Sequence, residues 1–265
     1  MDFPYKQSLM QKGALKDKVA IITGGATGIG KAMALEFARL GADIVIASRN
    51  VKNLESAAIE IAEFNKKVIY VQTDVRNPDD VENMVSKAVS KFGKLDILVN
   101  NAAGNFRVPS LEMSVNAWNS VVNIVLNGTW YCSQAAAKQM VRQNSKGAIL
   151  NIGSTHVLSG NPGTAHSTAA KAGVLALTKT LAVEWARYGI RVNYISPGPI
   201  EGTGAAVKLW PTPEVKETVL NRIPLGRMGT VQEVANLASY LVSDYADYIS
   251  GANFILDGGG HLNKR

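Results

Sequence analysis

Seven short runs rich in Val and Ile, separated by longer stretches of helical period, constrain the fold of this 265-residue chain most. They are "KVAIIT" (18–23), "DIVIAS" (43–48), "KVIYVQ" (67–72), "LDILVN" (95–100), "GAILNI" (147–152), "IRVNYI" (190–195) and "NFILD" (253–257). None alternates strictly between apolar and polar residues, which is the pattern of strands covered on both faces. The intervening "KAMALEFARLG" (31–41) and "DDVENMVSKAVSKFG" (79–93) are amphipathic and close on Gly, a helix stop. Strand and helix in turn mean a parallel sheet joined by right-handed crossovers. The pattern predicts a single α/β domain over 1–265, a Rossmann-type doubly wound parallel sheet of about seven strands flanked by helices. Segment 199–229 fits neither period and is expected to be an insertion over the strand ends, a substrate lid.

Composition narrows the class further. Apolar residues make up 46% and charged residues 18%, which suits a packed globule and excludes a disordered chain. The net charge of +7 is spread along the sequence without a basic run, so an anionic small ligand is expected and nucleic acid is not. The single Cys, Cys132, cannot form an internal disulfide and sits in a helical stretch as a packed residue. No membrane span, metal-ligand cluster or targeting segment stands out, and a cytoplasmic protein is expected.

The junction of the first strand and first helix reads "TGGATGIG" (23–30). Gly24, Gly28 and Gly30 let the backbone turn tightly and approach a pyrophosphate, with Thr27 and Ile29 between them. The following helix offers free N–H groups and the positive end of its dipole. After the second strand stand Ser48 and Arg49, with no acid to hold a ribose 2′-hydroxyl. A guanidinium there suits a 2′-phosphate through paired hydrogen bonds, so NADPH is favoured over NADH. Asp74, beside Val75 after the third strand, is placed to accept from an adenine amino group, or with Asn77 to shape a turn before Pro78.

Taken together, "TGGATGIG", "DV" (74–75), "NNAAG" (100–104), the pair Ser167 and Lys171, "PGPI" (197–200) and "DGG" (257–259) resemble the short-chain dehydrogenase/reductase family over about 15–260. The resemblance implies cofactor contacts from Asn101, Ala102, Lys171, Pro197, Gly198 and Ile200. That family reduces carbonyls with a Ser-Tyr-Lys set. Here Lys171 is present, Ser154 lies where the Ser is usual, and Ser167 stands in place of the Tyr. A serine hydroxyl is a poor acid for protonating a carbonyl oxygen.

One branch accounts for the exchange. "NNAAGNF" (100–106), "IVLNGT" (124–129), "HSTAAKAG" (166–173), "LAVEW" (181–185), "PGPIEGTG" (197–204) and "IPLGRMGT" (223–230) resemble the 2,4-dienoyl-CoA reductases of short-chain type. That resemblance implies hydride delivery to the distal diene carbon, charge spreading to the thioester oxygen, and protonation at the α-carbon to give a 3-enoyl-CoA, in unsaturated fatty acid β-oxidation. The protein then needs hydrogen-bond donors to that oxygen rather than a phenol. Asn105 and Ser167 match the branch's donors, and His156 occupies the position of its Tyr, where an imidazole can donate. His166 is expected to cap or pack at a helix start. Asn127 is either a core amide bridging helices or, by the resemblance, holds a helix kink and a water near Lys171. Arg107, Lys208 and Trp210 are candidate contacts to the fatty acyl-CoA, and a homotetramer is implied. A carbonyl or alcohol oxidoreductase and a non-catalytic NADP(H)-binding scaffold remain the alternatives.

Overall fold

The computed structural model describes residues 10–204, 209–210 and 212–263. Seven strands form its sheet: β1 (Val19–Thr23), β2 (Asp43–Ser48), β3 (Val68–Gln72), β4 (Ile97–Asn100), β5 (Gly147–Ile152), β6 (Ile190–Pro197) and β7 (Asn253–Leu256). They pair in parallel in the order β3-β2-β1-β4-β5-β6-β7. The expected α/β architecture holds, with small shifts at the strand ends. β4 begins at Ile97, although Asp96 N–H already donates to Val19 O (3.0 Å), while Leu95 N–H turns to the Gln143 side chain (3.1 Å).

Adjacent residues of one strand serve opposite layers, which is why the central runs do not alternate. Ala20, Ile22, Ile44 and Ile46 pack on α1 (Gly28–Arg39), α2 (Val51–Ala62) and α9 (Val231–Val242). Ile21, Val45 and Leu98 pack on the other face against α3 (Pro78–Phe92), α5 (Gly128–Arg142) and α7 (Ala165–Glu184). Cys132 is buried in this second layer, and burial pushes its thiol up to about 12, so it is a core residue without nucleophilic character.

Local chemistry sets the helix boundaries. Asn77 caps α3 by accepting from Asp79 N–H, Pro78 occupies the first turn, and Gly93 ends the helix at φ +82°. Thr230 and Glu233 close a capping box at the start of α9. α4 (Val115–Val122) and α5 are joined by a wider, π-helical turn at Asn123–Asn127. The stretch 123–138 is therefore helical as expected, but it is interrupted at Asn127. That amide bonds along its own helix, to Asn123 Oδ1 at 2.9 Å, and bridges no helices.

Segment 199–229 is more regular than its sequence period suggests. Thr212 caps a helix α8 (Pro213–Leu220) with Pro at the first turn, a start signal that is readable in "TPE". The base of the excursion is closed by two hydrogen bonds, Glu201 N–H to Gly229 O (2.9 Å) and Gly229 N–H to Pro199 O (3.0 Å). A Cβ on Gly229 would stand 2.7 Å from Ile200 Cδ1, so a side chain there would push the end of Ile200 aside. Among the described residues, no helix is long and apolar enough to cross a membrane.

Candidate active site

The strand order reverses between β1 and β4, so the connections leaving these two strands diverge and open a crevice at their C-terminal ends. Thr23 and Asn101 fix the floor of that crevice. Thr23 Oγ1 accepts from Asn101 N–H (3.0 Å) and Ala102 N–H (3.1 Å) and donates to Val99 O (3.2 Å). Asn101 Nδ2 returns the tie by donating to Thr23 O (3.0 Å) and Gly24 O (3.2 Å). The turn between them needs glycine. Gly24 sits at φ +63°, and a Cβ on Gly30 would lie 2.2 Å from Gly24 O. The structure thus gives Asn101 a role in shaping the turn. It also adds Thr23, whose only sequence signal is that it opens the glycine motif.

A cavity of about 600 Å³ runs from this turn to the end of β5 and under the 199–229 excursion. Gly24, Thr27, Gly28 and Ile29 line the end at the glycine turn. Ser48, Arg49, Asp74, Val75 and Ala102 line the far side, and Pro197, Gly198 and Ile200 the opposite wall. Gly30 lies beneath the lining. Its size falls in the ordinary range of ligand pockets, roughly 300–1,000 Å³. A glycine turn that leaves backbone open at Gly28, a helix N-terminus and a basic rim fit a dinucleotide. Arg49 is exposed at that rim. Asp74 is already engaged: both its oxygens take hydrogen bonds from Arg76, which, with a smaller contribution from Arg49, hold its carboxyl below the usual range. Its backbone N–H donates to Asp80, so Asp74 shapes the turn before α3.

Asn105, Ser154, His156, Ser167 and Lys171 converge on the other end of the cavity, brought from three separate loops and helices. Lys171 is buried apart from the part that lines the cavity, and its ammonium donates to Ile152 O. Burial without a carboxylate partner pushes its pKa down to about 8. His156 opens the short helix α6 (His156–Ser159), with its N–H on Ser154 Oγ at 3.2 Å. Burial first, and then the nearby Arg107 charge, hold its imidazole below the ordinary histidine value. His156 is therefore neutral near pH 7 and offers one N–H donor rather than a cation.

Not every expected contact reaches the cavity. Arg107 is exposed and outside the lining, though its charge is felt at His156. Asn127 is also outside it, at the π-turn. Trp210 lines the cavity beside Leu209, whereas Lys208 lies outside the described residues.

Tyr194, on β6, carries no signal in the sequence. It is fully buried, its hydroxyl donates to Lys171 O (3.1 Å), and its ring packs against Gly153, the residue before Ser154. One phenol thus ties the Lys171 helix to the segment carrying Ser154 and His156. It fits only because residue 153 is glycine, since a Cβ there would lie 1.9 Å from the Tyr194 ring.

A family model described as enoyl-(acyl carrier protein) reductase matches residues 24–261. A Bacillus subtilis protein named a probable 2,4-dienoyl-CoA reductase, (2E)-enoyl-CoA-producing, is 48% identical over 94% of this chain and 98% of its own length. A Caenorhabditis elegans protein named a probable 2,4-dienoyl-CoA reductase 3, (3E)-enoyl-CoA-producing, is 41% identical over 98% of this chain and 86% of its own length. The solved structure of a short chain dehydrogenase from Bacillus anthracis superposes with a TM-score of 0.90 at 53% identity, over 95% of this chain and 99% of that one.

Gly153→Ala is expected to lower stability by about 1–3 kcal/mol, the usual cost of overpacking a core, because the Tyr194 ring cannot move aside. Adding Tyr194→Val should recover part of that loss in a chemical denaturation series. A Gly153→Ala protein as stable as the parent would show that the ring has room to shift.

Proposed function

The chain belongs to the short-chain dehydrogenase/reductase family and is an oxidoreductase, and we propose that it is an NADPH-dependent 2,4-dienoyl-CoA reductase. The observation that carries this reading is the donor set at the end of β5. Asn105, His156 and Ser167 line one end of the cavity with Lys171, and Ser167 stands where a proton-donating phenol would be needed for carbonyl reduction. The names of the relatives support the same substrate class.

Gly24, Thr27, Gly28 and Ile29 would hold the pyrophosphate of NADPH, Arg49 its 2′-phosphate, and Lys171 the nicotinamide ribose. When bound, the reduced nicotinamide supplies the hydride. The chain's own residues manage charge. Hydride addition at the distal carbon of the diene moves an electron pair through both double bonds to the thioester oxygen. Asn105 Nδ2, the His156 N–H and the Ser167 hydroxyl donate to that oxygen and lower the barrier to the dienolate. The Lys171 charge adds a favourable field, strengthened by burial. A proton taken at the α-carbon leaves a 3-enoyl-CoA, and one taken at the γ-carbon leaves a 2-enoyl-CoA. We assign the 3-enoyl product, while the Bacillus subtilis relative's name makes the 2-enoyl product the outcome to test against. Trp210 and Leu209 lie on the excursion 199–229, which acts as the lid over the acyl chain, and Arg107 and Lys208 are the candidate partners of the CoA phosphates. Asn127, at the π-turn, holds a water near Lys171. The reading extends to a cytoplasmic homotetramer acting in unsaturated fatty acid β-oxidation.

Purified protein mixed with NADPH and 2,4-hexadienoyl-CoA is expected to oxidise the cofactor and yield a product whose remaining double bond NMR locates at C3. His156→Ala should slow turnover about a hundredfold, the usual loss for one oxyanion donor. Turnover of simple ketones alone would instead make the protein a carbonyl reductase. NADPH bound tightly without turnover of either substrate would make it a scaffold.

Arg49→Asp is expected to reverse the preference between NADPH and NADH, measured as the ratio of kcat/KM for the two cofactors. An unchanged ratio would remove Arg49 from phosphate binding.

Lys171 sets the pH dependence. With its pKa near 8, it is charged below and neutral above, so kcat/KM should fall as pH rises through about 8. Stability moves the other way. The unfolded chain holds this proton up to 10.5, so the burial penalty is full below 8 and is relieved between 8 and 10.5. A rate profile flat across that window would place another group in charge of it.

A further inference from the structure

Helix α8 (Pro213–Leu220) has no buried residue, and among the described residues it packs broadly against no strand or other helix. A cavity of about 280 Å³ lies against it, lined by Lys216 and Leu220 from α8 and by Glu201, Arg227 and Met228 from the base of the excursion. A helix this short does not hold itself in water without packing. What seats it must therefore act at its ends. Before it stand Leu209 and Trp210, which line the large cavity. After it, Asn221, Arg222 and Ile223 continue the helical bonding to Glu217, Val219 and Leu220.

This second end rests on the turn that follows β7. Leu225 N–H donates to Gly258 O (3.2 Å), and Asn263 Nδ2 donates to Arg222 O (3.2 Å). Ile223 is buried under the turn, where a Cβ on Gly258 would stand 2.8 Å from Ile223 Cγ2. Gly258 and Gly259 take φ +63° and +83°, left-handed conformations that fold the chain back over 222–225.

One carboxylate shapes the turn. The Asp257 side chain is 4% exposed. Its Oδ1 accepts from Gly259 N–H (3.0 Å), and its Oδ2 accepts from both the backbone N–H (2.7 Å) and Nδ1 (2.9 Å) of His261. A carboxylate only accepts, so His261 carries a proton on Nδ1. Asp257 also backs the wall of the large cavity. Gly198 N–H donates to Leu256 O (2.9 Å), and a Cβ on Gly198 would stand 2.9 Å from Asp257 Cα. The point where the excursion departs and the point where it returns thus rest on the same few residues.

We propose that Asp257 and His261 form a clasp that positions the lid: the pair holds the turn 257–263 in shape, the turn holds 222–225, and α8 is thereby seated with Leu209 and Trp210 over the cavity. Both are positioning residues, and neither lines the cavity. The clasp stands on these contacts alone, while its effect on substrate rests on the reduction proposed above.

Backbone hydrogen exchange of the purified protein tests the clasp without substrate. In His261→Ala, segment 221–226 is expected to exchange about tenfold faster, the loss for one hydrogen bond to a charged group, while β2 is unchanged. His261→Asn should restore most of the protection, because its amide nitrogen stands as many bonds from Cβ as the imidazole Nδ1. If His261→Ala does not fold, Asn263→Ala decides. It drops only the bond to Arg222 O and should speed exchange of the same segment about threefold. An unchanged segment 221–226, or acceleration that spreads equally to β2, would overturn the clasp.

Kinetics then test the lid role. The lid encloses the acyl chain rather than the reacting atoms, so its contacts act alike in the ground state and the transition state. His261→Ala should therefore raise KM for 2,4-hexadienoyl-CoA about tenfold and leave kcat and NADPH affinity within about twofold, with recovery in His261→Asn. An unchanged KM beside faster exchange would overturn the positioning of the lid. A parent protein that turns over no dienoyl-CoA would sink the assigned reaction instead, and the exchange result would still decide the clasp.

Discussion

The knot between Thr23 and Asn101 is the constraint on which the rest of the site depends. Parallel strands that diverge at their ends leave a crevice, but a crevice binds nothing unless its floor is rigid. Here the end of β1 is stapled to the end of β4 by five hydrogen bonds through two side chains. The staple locks Gly24 against Asn101, and the closeness of that contact is why residues 24 and 30 carry no side chain. The same lock aims the N-terminus of α1 at the cavity. An anion site of this kind depends on backbone direction, so the residues that set direction matter as much as those that touch the ligand.

At the opposite end of the cavity, rigidity is obtained at an electrostatic cost. Lys171 is withdrawn from water with a backbone carbonyl as its partner and no carboxylate beside it. Its pKa falls as a result, and its charge, where present, acts in a low dielectric. Tyr194 bonds the helix carrying this lysine and packs on Gly153, at the start of the segment carrying Ser154 and His156. The phenol absent beside Lys171 is thus unrelated to the phenol found here. Tyr194 is buried away from the ligand and braces the backbone.

Much of the fold was legible because its signals are local. The doubly buried strands, the Asn77-Pro78 start of α3 and the Gly93 stop follow from residue chemistry within a few positions. So did the convergence of Asn105, His156, Ser167 and Lys171, because a family resemblance had already tied their spacing to one site. Other features had no local signal. Asn127 looked like a possible bridge between helices, and it sits instead at a π-turn bonded to Asn123. Asp74 could have met an adenine or shaped a turn, and in the fold it lines the cavity while Arg76 bonds both its oxygens.

By itself, the sequence determined the layered sheet, the glycine turn and the types of side chain available for chemistry, because periodicity and motif spacing act over short range. Tertiary structure alone decided that Gly153 makes room for Tyr194, that the Lys171 side chain is largely buried, and that Asn105 buries its amide oxygen. Those facts depend on packing between residues tens of positions apart. Burial and amide orientation belong to the assembled environment and not to any residue within it.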